Sequence, residues 1–562
     1  MNNQGMLYIE SKNGKVFNNI YKKIISRDNI VEAFKELRTN SGSSTAGVDK
    51  LSIKDLEHLE MDEIISLVRN KLNNYRPQPV RRVYIPKQNG KLRPLGIPCI
   101  KDRLIQMCIL RVLEPICEGK FNERSYGFRK DRSCHDAIAR SRMIIPLGQN
   151  HYTVDIDIER FFDNVNHTIL MRKIWSIGIR DKKVLSIIKK ILKSKIEGVG
   201  TTDKGIPQGG IISPLLANIY LNDLDTWITS QWERFPTRYK YSCDEKRYRA
   251  QRRSSNLKEL WYVRYADDFR IYCKDKITAR KIQFAVTDWL NKNLKLKVSE
   301  EKTKVVNLRK RSSEFLGFKF KMMKDKSKNG KLSLDVRISD DNLKRIQESY
   351  IKRVKHLLYE PREMRIFMLN KFILGVHNYY KIARLIGHDL IKTYLIGLRK
   401  MRRFVKSGVL ERQQVIKDKT YKKRFGKYKF GAFGYKDSVI YQIAGVTGTL
   451  SKPRKDNINP YLSEKIVPVK FFSGAGSGLF YSHRIGKYYQ QKGKCYVTGE
   501  ELIKGECHHK IPRFKGGNDE YENLVLINQS IHIALHQKKT SLELGLSGKT
   551  KKTYDELLKL IV

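Results

Sequence analysis

The chain opens in helix-period patterning. Ile30, Phe34 and Leu37 share one helical face, and Leu56, Leu59, Ile64, Leu67, Val68 and Leu72 resume that spacing. Between them Asn40 to Asp49 is loop chemistry with two glycines, and Tyr75-Arg-Pro-Gln-Pro79 ends the helical stretch. The pattern then changes. Val80 to Lys87 reads as a strand, Gln88-Asn89-Gly90 as a turn and Lys91 to Pro98 as the return, a hairpin signature. Asp102 to Glu114 predicts a helix with Leu104, Ile105, Cys108 and Val112 on one side, followed by a glycine-turned loop, Ser125 to Arg129. Within His151 to Asp163, Val154, Ile156 and Ile158 alternate with Asp155, Asp157 and Glu159, so a strand would put the acids on one face. Gly205 to Pro214 is a Gly/Pro loop opening a helix through Leu215, Leu216, Ile219 and Leu224. Trp261 to Phe269 is rich in strand formers, with the hairpin tip at Asp267-Asp268. From Asp341 the period is helical again. Leu343, Ile346, Tyr350, Val354 and Leu357 form the first stripe, Phe372, Ile373 and Val376 lie on a second helix, and Tyr394 to Phe404 forms a third.

Charge narrows the partners. Lys and Arg number 112 against 58 Asp and Glu, a net +54 over 562 residues. Such an excess repels itself, and a large polyanion is the partner that relieves it. The basic residues are spread through the periodic regions, which points to a large folded nucleic acid rather than a basic tail on a neutral enzyme. No apolar run approaches a membrane span, and Met1 to Lys15 lacks the apolar core of a signal peptide. With 40% hydrophobic residues the chain can build cores, and its length suggests roughly three to five domains. Cys99, Cys108, Cys117, Cys134, Cys243 and Cys273 read as ordinary buried thiols in a reducing interior.

The candidate chemistry sits in a few stretches. Adjacent Asp267 and Asp268 repel one another, so as a buried pair they call for a cation, although a solvated turn is the simpler reading of two residues alone. Asp157 beside them would complete a three-carboxylate nest for two Mg²⁺. Lys87 and Arg93 near the hairpin tip could reach the phosphates of a nucleotide, and Gln208 could touch a base or sugar edge. Residues 231 to 256 read as an inserted basic loop whose interleaved Arg and Tyr suit phosphate contact with base stacking.

In this order the stretches resemble reverse transcriptases, specifically the proteins encoded within group II introns, from about residue 30 to the C-terminus. The resemblance implies a multidomain α+β protein: a right-hand polymerase with an RRM-like palm sheet, an α-helical thumb, a basic DNA-binding segment and a ββα-metal HNH domain. Tyr265-Ala-Asp-Asp268 matches the catalytic box, so Asp157, Asp267 and Asp268 would bind two Mg²⁺. One metal would activate the primer 3′-hydroxyl and the other would hold the triphosphate and leaving pyrophosphate. Phe162 stands where the family excludes a ribose 2′-hydroxyl, with Ile158, Gln208, Lys87 and Arg93 in the nucleotide pocket. Glu314-Phe-Leu-Gly-Phe318 resembles the primer-contacting hairpin. Asp155 is not used by the family pattern, and Asp163 reads as structural. Tyr379 and Tyr380 read as packing core.

The tail carries a second motif. Cys507-His-His-Lys-Ile-Pro512, Gly516-Gly517, Asn523 and His532-Ile-Ala-Leu-His536 follow in order, and His532 and His536 share a helical face. A strand with His508-His509 opposite that helix could hold one divalent metal. The run resembles the HNH nuclease motif. By that match His509 is the general base, Asn523 orients it, and His508, His532 and His536 hold the metal. Structural zinc is not supported, because Cys495 and Cys507 supply only two of the usual four ligands.

The expected division is 1–79 helical extension, 80–335 fingers and palm, 336–406 thumb or maturase domain, 407–490 DNA-binding segment and 491–562 nuclease. The expected partners are the intron RNA, a double-stranded DNA target and dNTPs, with no membrane; a homodimer is left open. The expected compartment is the cytoplasm or nucleoid of a bacterium, an organelle being the alternative. Two other readings are an RNA-binding splicing cofactor with an idle polymerase and a free-standing reverse transcriptase; intact carboxylates argue against the first, the thumb and histidine tail against the second.

Overall fold

In the computed structural model the alternating segments form a four-stranded antiparallel sheet. Its strands are β3 (Tyr152–Ile156), β4 (Leu260–Tyr265), β5 (Asp268–Cys273) and β6 (Lys304–Asn307), in the order β4-β5-β3-β6. Val154, Ile156, Tyr262, Val263, Phe269 and Ile271 are buried, so this sheet is covered on its apolar side. The helices Cys134–Leu147, Ser213–Ser230 and Lys276–Leu294 pack against it. The structure describes residues 3–40, 42–86, 90, 92–147, 149–324, 332–413, 418–428, 431–449, 451, 453–454, 456, 458–461, 487–488, 490–491, 494–500, 502, 505–518 and 520–561.

The predicted hairpin is present as β1 (Arg81–Pro86) and β2 (Leu92–Ile97), paired antiparallel. A three-stranded sheet follows the main one, with β7 (Ser313–Phe315), β8 (Phe318–Lys324) and β9 (Leu332–Ile338) in that order. The turn between β7 and β8 places Leu316 and Gly317 at positive φ. One helix comes unannounced: polar Asn3–Lys12 buries Leu7 and Tyr8 against the helix Ile100–Glu118, on which Ser11 Oγ also donates to the Ile116 carbonyl at 2.6 Å.

Two compact units emerge, Met1–Val336 with Leu450–Ser463, and Arg337–Thr449 with Glu464–Val562. The stretch around residue 456, expected in a DNA-binding segment, belongs to the first unit. There Asp456 accepts from Arg124 at 2.9 Å, and Tyr461 is buried with Lys130 4.4 Å from its ring centroid. The second unit begins with the three expected helices, Asp340–Lys355, Arg362–Tyr380 and Ile386–Lys406. Gly397 lets the first and third approach closely, since a Cβ there would stand 2.4 Å from the buried Tyr350 ring. Of the tyrosine pair, Tyr380 is core and Tyr379 is exposed.

Three sequence expectations change. β3 stops at Ile156, so the acids do not stack on one strand face: Asp155 is buried, Asp157 lies just past the strand and Glu159 is exposed. Like charges aligned on one face repel, and Arg160, at φ +42°, turns the chain away. The basic 231–256 insert contains a helix, Asp244–Ser254. Its Tyr248 packs inward, 6.2 Å from Trp232 and 4.8 Å from Trp261, while Arg252 pairs with Glu259 at 2.8 Å. Aromatic burial and ion pairing thus use Tyr248 and Arg252, whereas Tyr239 and Arg249 remain exposed. Among the cysteines, Cys243 is exposed and Cys134 half-buried, whereas Cys99, Cys108, Cys117 and Cys273 are buried. No helix among the described residues is long and apolar enough to cross a membrane.

Candidate functional site

The aspartate pair sits on a turn that the rest of the sheet over-determines. Tyr265 and Asp268 are the last cross-strand pair of β4 and β5, so Ala266 and Asp267 form a two-residue tip, with Ala266 at φ +58°. A left-handed alanine costs on the order of 1 kcal/mol, and neighbouring groups hold it there. Arg264, fully buried, pairs with both carboxylate oxygens of Asp225 at 2.6 Å and donates to the Ala266 carbonyl at 2.7 Å and to Asn218 at 3.0 Å. Gly127 runs beneath the tip, where a Cβ would stand 2.2 Å from the Ala266 nitrogen. Asn218 in turn donates to the Gly127 carbonyl at 2.9 Å.

The carboxylates feel burial and one another. Burial raises the Asp267 pKa, Asp157 adds to the rise, and Arg93 and Arg264 oppose it. Burial pushes Asp268 up to about 6, with Arg270 opposing and Asp155, Asp267 and Asp157 adding to the rise. Two protein cations lie on this cluster: Lys302 Nζ is 3.1 Å from Asp157, and Arg270 donates to Asp268 at 2.8 Å. Carboxylate oxygens suit a hard divalent cation, but among the described residues Asp157, Asp267 and Asp268 do not close into a three-ligand group, so the expected nest is not assembled in this structure.

Around the turn, the nucleotide-pocket residues fall as follows. Lys87 lies outside the described residues. Arg93 is exposed on β2 and close enough to Asp267 to influence its ionisation. The loop bearing Gln208 is fastened to β2 by the Gly96 amide, which donates to the Gln208 carbonyl at 2.8 Å. It is fastened to Phe162 as well, whose carbonyl accepts from Ile206 at 2.7 Å. Phe162 is half-buried and edge-on to Phe161, with centroids 5.4 Å apart. Ile158 is different: its side chain is buried, leaving only its backbone for a ligand.

The histidine tail, part of the second unit, is a strand pair followed by a helix. Strands β10 (Gly505–His509) and β11 (Leu524–Asn528) pair antiparallel, with His508 opposite Val525, and the helix Gln529–His536 follows directly. The apolar run Leu524 to Ile527 is buried with Val497, Leu535, Tyr554 and Leu557. His508, His532 and His536 meet, with ligand atoms all within 4.8 Å; among the described residues no other group of three His, Cys, Asp or Glu closes so tightly. Burial lowers His508 to about 3, its histidine neighbours adding to the drop, and burial with His536 lowers His532 to about 4. Both are therefore neutral and able to ligate. His508 Nε2 is buried without a hydrogen-bond partner, which a metal would satisfy.

His509, next along the strand, is half-buried and outside this trio. The Asn523 side chain accepts from Ile511 N at 2.8 Å and donates to the Ile511 and Asn518 carbonyls at 3.0 and 2.9 Å. It therefore fastens the loop that follows His509. Cys495 Sγ accepts from the Asn528 and Thr498 amides at 3.3 and 3.5 Å.

Sequence reasoning missed Arg264, Asp225, Gly127 and Arg270. Arginine inside an apolar strand, as in Trp-Tyr-Val-Arg-Tyr, was the available signal, because a charge in such a run needs a buried partner.

Residues 85–320 match the family described as reverse transcriptase (RNA-dependent DNA polymerase). Group II intron-encoded protein LtrA of Lactococcus lactis subsp. cremoris is 31% identical over 432 residues, covering 66% of this chain and 71% of that protein. Protein YkfC of Escherichia coli is 32% identical over 322 residues, covering 54% of this chain and 82% of that protein. Nuclear intron maturase 1, mitochondrial, of Arabidopsis thaliana is 24% identical over 224 residues, covering 29% of this chain and 31% of that protein.

Proposed function

The chain belongs to the group II intron-encoded reverse transcriptases and maturases, and from that premise we propose that it copies intron RNA into DNA from a strand that its own histidine site has nicked. The four-stranded sheet is the polymerase palm, β1 and β2 belong to the fingers, and the helices from Asp340 to Lys406 form the thumb. Asp157, Asp267 and Asp268 are the residues that would hold Mg²⁺, which when bound supplies Lewis acidity at the attacking and leaving oxygens. Arg93 receives triphosphate charge beside Asp267. Phe162 blocks the sugar 2′ position, and the Gln208 loop lines the opposite wall. As maturase, the protein grips folded intron RNA, and its +54 charge makes that grip salt-dependent.

In the tail, His508, His532 and His536 would hold one divalent metal, which polarises a phosphate when bound. His509 takes the proton of the attacking water. Asn523 acts by holding the loop after His509 rather than as a free side chain. The observation that carries the nuclease reading is the convergence of three imidazoles with ligand atoms within 4.8 Å. Purified with its intron RNA, the His508→Ala protein should extend a pre-nicked primer yet fail to cut the duplex target. Nicking by that variant at the wild-type rate overturns the nuclease assignment, and DNA synthesis by Asp267→Ala overturns the polymerase assignment.

A further inference from the structure

We propose that Arg270 is a positioning residue that locks the carboxylate Asp268 to the hairpin Ser313–Lys324, so that metal site and primer terminus are aligned by one guanidinium. Arg270 lies on β5 directly opposite Asp155 of β3, two residues along the strand from Asp268. Both acids therefore face it from one side of the sheet. Its Nη1 donates to Asp268 Oδ1 at 2.8 Å, and its Nε lies 3.0 Å from Asp155 Oδ1. Its Nη2 donates to the Glu314 carbonyl at 2.8 Å, and the guanidinium stands 5.0 Å from the Phe315 ring centroid. Asp155, the acid left over by the sequence motif, has a place in this arrangement. It accepts from Thr153 Oγ1 at 2.8 Å on its own strand and from Ser313 Oγ at 2.6 Å on the hairpin.

Two consequences follow from the chemistry. Only one oxygen of Asp268 is engaged by Arg270, which leaves Oδ2 for a cation. And the hairpin is joined to the catalytic strands twice, through Glu314–Arg270 and through Ser313–Asp155, both contacts meeting at one ion pair. A planar fork can serve two carboxylates and a carbonyl at once, whereas a lysine ammonium on its flexible stem cannot hold all three in one plane.

The inference rests on Asp268 as metal ligand and the hairpin as primer contact, so its test measures both without turnover. Mg²⁺ binding to the protein alone is followed by calorimetry, and primer–template binding in EDTA by fluorescence anisotropy. Arg270→Gln should weaken each by about 10-fold or more, the range for residues that hold metal ligands. Arg270→Lys should recover part of the Mg²⁺ affinity and little of the primer affinity. Asp155→Asn should weaken primer binding more than Mg²⁺ binding. Combined with Arg270→Gln it should add less than the product of the two single losses, because the two joints meet at the Arg270–Asp155 ion pair. In steady-state synthesis the primer KM should rise while the dNTP KM stays put.

Folded Arg270→Gln with wild-type affinity on both readouts overturns the proposal, as does a double variant whose losses multiply. If Arg270→Gln does not fold, Arg270→Lys decides on the same two measurements, wild-type values overturning it. An Asp268→Asn protein that binds Mg²⁺ normally removes the metal reading and this coupling with it; if Asp268→Asn loses Mg²⁺ while Arg270→Gln keeps it, the coupling alone is wrong.

Discussion

The aspartate turn and the histidine trio both gather side chains of metal-ligand type, but they handle charge in opposite ways. Around the turn, carboxylates are pushed toward the protonated form by burial and by one another, and protein cations answer them: Lys302 on Asp157, Arg270 on Asp268, Arg264 beneath. In the tail, burial pushes His508 and His532 toward the neutral form, and His536 meets them with ligand atoms within 4.8 Å. A carboxylate site therefore needs a supporting ion-pair network, which here reaches Asp225, Asp155 and the hairpin Ser313–Lys324. An imidazole site needs only a short strand and one helical turn. This is why the aspartate turn draws on distant segments of the chain, whereas the histidine trio is assembled from residues 508 to 536.

The largest test of this contrast is functional separation. Asp267→Ala should lower DNA synthesis on the order of 1000-fold or more and leave duplex nicking unchanged, while His532→Ala should do the reverse; primer-extension and nicking assays on the same preparations read both. Next in size, Asp225→Ala leaves Arg264 buried and unpaired. Breaking such a pair costs about 3–5 kcal/mol, so the first unit should lose that stability in denaturant titration while the second unit keeps its own.

A pH comparison sharpens the contrast. In EDTA, Asp268 has a folded pKa near 6, above its ordinary 3.8, so the folded form holds more protons in that window and stability falls as pH rises through it. His508 has a folded pKa near 3, below 6.5, so the folded form holds fewer protons and stability falls as pH drops from 6.5. From pH 7 to pH 5, hydrogen-exchange protection factors, corrected for the intrinsic pH dependence of exchange, should rise at β5 and fall at β10. Asp268→Asn should flatten the first trend and His508→Asn the second; slopes of the same sign in both regions would break the comparison. The smallest effect is expected from Lys302→Met. That ion pair is exposed, and removing it should change stability by less than about 1 kcal/mol in a thermal melt.

The sequence alone carried both motifs and their local geometry. Period-two alternation marked β3 and strand-forming residues marked β4, while the tip, expected at Asp267-Asp268, falls one residue earlier at Ala266-Asp267. The His-x-x-x-His spacing put His532 and His536 on one helical face, where they stand 4.6 Å apart by ring centroid. Such features depend on residues a few positions apart, so backbone period is enough to read them. The Asp155–Asp157–Glu159 stack failed because alternation says nothing about where a strand ends. Of the Arg and Tyr of residues 231 to 256, Tyr248 and Arg252 have partners inside the protein while Tyr239 and Arg249 stay exposed, a division that composition does not reveal. Tertiary structure decided the rest. It paired Arg264 with Asp225 across 39 residues, set Gly127 under Ala266, and brought Ser313 and Arg270 to Asp155. Those contacts join segments far apart in the chain, and their cause is the cost of leaving a buried charge or backbone group unpaired, which only the closed fold defines.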